Sequence, residues 1–197
     1  MDRTIDLLRH GEPEGGRKYR GQTDDPLTPR GWAQMWAAVG NNRPWQRIVT
    51  SPLLRCGEFA DALGEEMGLT VARDARLMEV GYGRWSGLAP DELKAADPEG
   101  FAAFRADPWH NRPDDAEPMP AFTERVLTAY AEHQEAMADH LLVVAHAGVI
   151  RTVMAHILGM PLANLYRLHL PYAARVRLHS VDGRTRICHM APTPPDL

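Results

Sequence analysis

The run Ile5-Asp6-Leu7-Leu8 ends in Arg9-His10-Gly11. The run Arg47-Ile48-Val49-Thr50 leads into Ser51-Pro52-Leu53-Leu54-Arg55. The run Leu141-Leu142-Val143-Val144-Ala145 ends in His146, followed by Ala147-Gly148. Open α/β sheets bind ligands beyond the carboxyl ends of their strands. If the three runs are strands of one such sheet, two arginines and two histidines meet at one rim, which makes an anion site. Arginine forks match phosphate oxygens in bidentate geometry. A helix beginning near Pro52 adds unpaired N–H groups and a positive dipole end. Alone, Arg9-His10 reads as surface decoration, Arg55 as a solvated helix residue and His146 as a core histidine. Their joint occurrence at three strand ends favours the functional reading.

The surrounding elements have to bring those ends together. Ile5 to Leu8, Arg47 to Thr50, Leu69 to Ala72 and Leu141 to Ala145 read as short buried strands. Thr28-Pro29 supplies an N-cap and a first-turn proline. The helix it opens places Trp32, Met35, Trp36 and Val39 on one face and ends at Gly40. Ser51-Pro52 is read as the cap of a second helix running to about Met67. Phe122 to about Ala138 and Gly148 to Leu158 read as two more helices. Leu77 to Trp85 is irregular and rich in glycine. Ala174 to Val181 pairs through Asp182-Gly183 with Arg184 to Met190, since Asp-Gly between alternating runs signals a hairpin. Strands alternating with helices predict a three-layer α/β/α sandwich with a mostly parallel central sheet and a C-terminal antiparallel hairpin. Between Ala89 and Pro120, six prolines break the pattern. The chain is therefore expected to form one domain over 1–197 with a lid-like insertion at about 88–120.

Composition narrows the classes. The 197 residues are 44% hydrophobic and 24% charged, as in a globular protein and unlike a disordered or fibrous one. The net charge of −4 gives no overall attraction to nucleic acid or an anionic membrane, so neither is an expected partner. Cys56 and Cys188 form neither a disulfide framework nor a CxxC pair. The nine histidines lack HExxH or paired Cys/His spacing, so no metal and no other cofactor is expected. The start lacks a basic segment followed by an apolar one, and the longest apolar run is far short of the ~20 residues of a membrane span. The cytoplasm is the expected location.

Leu8-Arg9-His10-Gly11-Glu12 resembles the signature of the histidine phosphatase, or phosphoglycerate mutase-like, superfamily. The resemblance continues, in family order, through Gly21 to Gly31 and Thr50 to Arg55. It continues through Glu79 with Gly83, Trp85 and Gly87, and through Val143 to Arg151. It implies that His10 is the nucleophile that becomes a phosphohistidine. Arg9, Arg55 and a protonated His146 would surround the phosphoryl oxygens, and Glu79 would be the general acid and base. That double role asks for a carboxyl pKa near neutrality. Nearby Asp74, Asp91 and Glu92 are competing carboxylates. Gly21 and Gln22 are further candidate substrate contacts. Glu117 and Arg125 match a family pair, although Pro118 and Pro120 follow Glu117 here. Tyr82 and Trp85 are candidate pocket residues or packing anchors.

The same resemblance addresses the substrate. Glu12-Pro13-Glu14-Gly15-Gly16 stands where mutases carry other residues, and the insertion before His146 is short. The Glu-Pro opening, the Tyr19 to Thr28 segment and His146 to Arg151 resemble α-ribazole phosphatases and broad-specificity phosphatases. The expected activity is a metal-independent phosphomonoesterase on a small phosphorylated substrate, with α-ribazole 5′-phosphate as a candidate. A mutase-type phosphotransferase is one alternative. An inactive relative that binds a phosphorylated ligand or a partner is another.

Overall fold

The computed structural model describes residues 2–136 and 139–191. Six strands form one sheet in the order β3-β2-β4-β1-β5-β6. They are β1 (Asp2–Arg9), β2 (Arg47–Thr50), β3 (Val71–Arg73), β4 (His140–Ala145), β5 (Arg175–Val181) and β6 (Arg184–Ala191). The first four run parallel, and β5 and β6 add an antiparallel pair beside β1. This is the expected mixed α/β sheet. Its hairpin turn places Asp182 and Gly183 at φ 48° and 77°, the positive φ that a two-residue turn of this kind needs. Strand β3 begins two residues later than the Leu69 expectation, because Leu69 N–H closes the end of the preceding helix on Gly64 O.

The alternation of side chains along the strands builds two cores. From β1 and β4, Ile5, Leu7, Leu141, Val143 and Ala145 pack with Phe122, Val126, Val149 and Val153. These belong to α5 (Met119–Glu135) and α6 (Ala147–Ile157). On the other face, Leu8, Leu142 and Val144 pack with Met35, Val39, Phe59 and Leu63. Those come from α1 (Pro29–Val39) and α2 (Leu54–Met67). Helices on both faces make the expected three layers. No helix among the described residues is long and apolar enough to cross a membrane.

Prolines in the irregular stretch start helices as often as they break them. Pro90 and Pro98 open α3 (Pro90–Ala96) and α4 (Pro98–Ala106), and Pro120 lies in the first turn of α5. At those positions the missing N–H has no helical partner to lose. Phe104 of α4 packs edge-on to Tyr19, Trp85 and Tyr82, and with Leu93 it forms a third small core. That core fastens α3 and α4 onto the loops after β1 and β3. Trp85 is therefore a packing anchor.

The Ser51-Pro52 cap is not formed. Helix α2 begins after Leu53, whose side chain makes no cap hydrogen bond. The Leu54 N–H donates instead to Asp24 Oδ1 at 2.6 Å, so the loop after β1 closes this helix end. Ser51 Oγ keeps a long contact from Leu53 N–H, at 3.4 Å, and makes a shorter one described below.

Asp6 is a charge inside a strand that otherwise reads as apolar, and it is fully buried. Burial pushes its carboxyl up, but hydrogen bonds from Arg177, His140 and Trp45 outweigh this and hold it well below the usual carboxylate range. Arg177 donates to both oxygens at 2.8 Å, and Trp45 Nε1 donates at 2.8 Å. These bonds tie β1 to β5 and to the residue leading into β2. Asp6→Ala would leave the buried Trp45 Nε1 without its acceptor, while Arg177, 34% exposed, can turn to water. It is expected to cost about 1–3 kcal/mol in chemical denaturation, the cost of a buried donor left unpaired. A loss below about 1 kcal/mol would show that the cluster is not structural.

Candidate active site

Strands β2, β4 and β1 are neighbours, and their carboxyl ends deliver Arg55, His146 and Arg9-His10 to one place. The pocket there has a volume of about 170 Å³. Arg9, His10, Gly21, Arg55 and Glu79 line it, together with Lys18, Tyr19, Arg20, Tyr82, Arg151 and Tyr172.

His10 continues the β1–β4 ladder through its N–H to Ala145 O at 3.0 Å. Its ring Nδ1 donates to Gly11 O at 2.7 Å, so Nδ1 carries the proton and Nε2 keeps its lone pair. The bend after it is possible because Gly11 and Gly31 lack side chains. A Cβ on Gly11 would collide with Gly31 O, and one on Gly31 with Glu12 O.

The cations are held mostly by backbone carbonyls. Arg9 donates to Leu170 O and lies 4.3 Å from the Tyr172 ring centre. Burial lowers its pKa to about 10, so it stays charged at neutral pH. Arg55 is 1% exposed and donates to Thr23 O and Gly21 O, both at 2.7 Å. Its Nε has no acceptor among the described residues. Arg20 donates to Glu14 O and Gly16 O and pairs with Asp25 at 3.0 Å. Lys18 joins the same Asp25 at 2.9 Å. Gly21 has φ 51°, and a Cβ there would meet Val80 O at 2.9 Å.

His146 lies edge-on to His10, with ring centres 5.2 Å apart, and is fully buried. Its Nε2 is 2.7 Å from Ser51 Oγ, a closer contact than the 3.4 Å one that Oγ accepts from Leu53 N–H ahead of α2. Burial first, then Arg55, His10 and Arg9, push its pKa well below 6.5. Without an anion, His146 is therefore neutral. The protonated form expected from the sequence needs the negative charge of a bound phosphoryl group.

Glu79 reaches the pocket from the glycine-rich loop. Its carboxylate accepts from Val80 N at 3.0 Å and from Gly148 N at 3.2 Å. It thus supplies the N-terminus of α6 with a carboxylate where the N-cap residue, His146, gives no side-chain cap. A Cβ on Gly148 would collide with Glu79 Oε1. Asp74 instead binds Arg76 and His133, and Glu92 caps α3 through Ala89 N. Neither they nor Asp91 line the pocket.

Other expectations resolve differently. Gln22 is exposed, outside the pocket lining, and donates its amide to Glu79 O at 3.3 Å. Glu117 and Arg125 do form a pair, at 2.6 and 2.8 Å, but neither lines the pocket. Arg125 also donates to Arg76 O, Met78 O and Glu79 O, while Glu117 accepts from Gly81 N. The pair clamps the backbone that carries Glu79. Lys18, Arg20, Arg151 and Tyr172 were not assigned to the site from sequence. Arg20 and Arg151 fell within segments of the resemblance, which is the signal that pointed to them.

Two buried neutral histidines make stability depend on pH. Burial, Arg9 and Arg55 hold His10 well below 6.5, as burial and its neighbours hold His146. Below pH 6.5 the unfolded chain binds protons that these folded side chains refuse. Their stability contribution is full above that pH and falls as pH drops, by up to about 1.4 kcal/mol per group per pH unit. Denaturation at pH 7.5 and pH 5 is expected to show a smaller loss in His146→Asn than in the parent. An equal loss would place the sensitivity elsewhere.

Known proteins resemble this chain in sequence and in fold. A family model described as the histidine phosphatase superfamily (branch 1) matches residues 5–192. A glucosyl-3-phosphoglycerate phosphatase of Mycolicibacterium vanbaalenii is 34% identical over 82% of this chain and 77% of its own length. An adenosylcobalamin/alpha-ribazole phosphatase of Salmonella typhimurium is 31% identical over 83% of this chain and 84% of its own. The solved structure of a putative alpha-ribazole-5′-P phosphatase from Escherichia coli shares the fold, with TM-score 0.86, 24% identity and 97% coverage of both chains. A mycobacterial glucosyl-3-phosphoglycerate phosphatase solved with VO3 has TM-score 0.83 and 31% identity, covering 94% of this chain and 97% of that one. The chain belongs to the histidine phosphatase superfamily.

Proposed function

We propose that the chain is a phosphomonoesterase that carries the phosphoryl group on His10. The observation that carries this is the His10 tautomer. Nδ1 is bound to Gly11 O, and Nε2 keeps its lone pair beside Arg9 and Arg55. Burial and those two cations keep the imidazole neutral and so nucleophilic.

In the first step, Nε2 of His10 bonds to phosphorus and the bond from phosphorus to the leaving oxygen breaks. Glu79 gives that oxygen a proton, and the alcohol departs. In the second step, the Glu79 carboxylate takes a proton from water as the water oxygen bonds to phosphorus. The N–P bond breaks, its electron pair returns to Nε2, and orthophosphate leaves. Arg9, Arg55 and the imidazolium of His146 stabilise the phosphoryl charge throughout, which is most of what phosphoryl transfer asks of a protein. Gly21 contributes by placing its carbonyl under Arg55. Gln22 steadies the Glu79 loop through the bond described above.

The chain is read as one domain in which the 88–120 segment roofs the pocket. The packing of Phe104 on Tyr19 and Tyr82 supports this. For the substrate we take α-ribazole 5′-phosphate first, because the relatives named above include an alpha-ribazole phosphatase. The competing candidate is the glucosyl-3-phosphoglycerate named for the mycobacterial relatives.

His10→Ala is expected to lower turnover of p-nitrophenyl phosphate by at least about 10⁴-fold and to abolish acid-labile phosphate labelling. Retained label in that variant would overturn the nucleophile assignment. Glu79→Gln is expected to slow alkyl phosphates by about 10²–10⁴-fold and nitrophenyl phosphate much less, since nitrophenolate leaves without a proton. Equal loss on both would show that Glu79 acts through binding or structure. Parent turnover is expected to persist in excess EDTA. A panel of α-ribazole 5′-phosphate, glucosyl-3-phosphoglycerate and 3-phosphoglycerate compared by kcat/KM tests the substrate.

A further inference from the structure

The His146 ring has two polar side-chain neighbours among the described residues, and neither is a carboxylate. Ser51 Oγ lies 2.7 Å from Nε2, and both residues are fully buried. Cys56 Sγ lies 3.7 Å from Nε2 and 3.8 Å from Nδ1, and it donates its own hydrogen to Ala145 O at 3.4 Å. Burial pushes the Cys56 thiol up to about 12, so it stays neutral. The titratable groups that face the ring are Arg55 of α2, His10 and Arg9 at the end of β1, and Arg125 of α5. Glu79 is bound two residues along, at Gly148 N. The arginines and the positive end of α6 all oppose a second proton on the ring.

A hydroxyl gives one hydrogen and accepts two. Leu53 N–H already points at Ser51 Oγ, so His146 Nε2 is the acceptor left for the hydroxyl hydrogen. The resting ring then carries its hydrogen on Nδ1. When a phosphoryl group brings its charge and the ring takes a proton from solvent, that proton arrives on Nε2. The Ser51 O–H must turn away, and Oγ accepts from Nε2–H. A carboxylate in this place would hold the ring charged at all times and cancel part of the charge that a phosphate needs. A backbone N–H could bond the neutral ring only. A hydroxyl serves both states.

We propose that Ser51 is a positioning residue for the reaction, whose hydroxyl reverses from donor to acceptor as His146 gains its proton and so ties the imidazolium to the arrival of a phosphoryl group. The proposal rests on the phosphomonoesterase reading above and adds a residue to its machinery.

The test follows kcat for p-nitrophenyl phosphate against pH. Nitrophenolate leaves without a proton from Glu79, so the alkaline limb of kcat reports loss of the His146 proton in the complex. Without the acceptor, the ring holds that proton less tightly. In Ser51→Ala the limb is expected to move down by about one pH unit, a tenfold loss of proton affinity. A second measurement needs no Ser51 variant. At pH 7.5 the 15N-histidine spectrum of the parent is expected to show one imidazole pass from neutral to doubly protonated on saturation with orthophosphate, a signal assigned by its absence from His146→Asn. A fall in kcat at every pH with the limb unmoved would make Ser51 merely structural and overturn the proposal. So would unchanged kinetics in Ser51→Ala, or a His146 ring that stays neutral with orthophosphate bound. These outcomes leave the phosphatase reading standing. Failure of the parent to turn over any ester, p-nitrophenyl phosphate included, would overturn that reading and this one with it.

Discussion

Four arginines and a lysine crowd one small pocket, and like charges at that spacing repel. A pocket lined with carboxylates would quiet them, but it would also neutralise the charge that a phosphate needs. The protein instead turns mostly to main-chain carbonyls. Arg55 rests on the carbonyls of Gly21 and Thr23, Arg9 on that of Leu170, and Arg151 on that of Leu168. Carbonyl dipoles fix a guanidinium in place without cancelling its charge. Asp25 is the exception, and it takes up Lys18 and Arg20. The loops around the pocket follow from this, since each must turn a carbonyl inward.

The acid is held by the opposite device. Glu79 is gripped by the N–H groups of Val80 and Gly148, the latter at the start of α6. Its own backbone is fixed from behind by Arg125, which reaches the carbonyls of Arg76, Met78 and Glu79 while paired to Glu117. Cations on carbonyls and a carboxyl group on amides give a site whose polar groups are oriented before a phosphate arrives. Such preorganisation is where electrostatic catalysis gains most.

Much of this was legible in the residues. Arg9-His10, Arg55 and His146 each end an apolar run, so the sheet that those runs imply brings them together. Thr28-Pro29, Gly40 and Asp182-Gly183 marked boundaries because each has a specific local job. Ser51-Pro52 misled, because its hydroxyl lies closest to His146, just past the end of β4, and no local pattern announces a partner that far away. Asp6 hid for a similar reason: its partners Trp45, His140 and Arg177 are scattered along the chain. The prolines from Pro90 to Pro120 look like breakers in sequence. Only the fold shows which of them sit in first turns. Tyr172 and Lys18 carry no signature, and they enter the pocket through loop shape alone.

Holding arginines by carbonyls also changes what substitution can do. At Thr23, Leu168 and Leu170 the atom in use belongs to the backbone, which every residue type supplies. Side-chain identity at these positions is free to drift while the cation stays put. A change in loop length, or a proline that re-aims the peptide plane, would swing the carbonyl away and release the arginine. The site is thus robust to point replacement along these loops and fragile to insertion. Its most consequential positions for engineering are ones that a list of polar side chains would pass over.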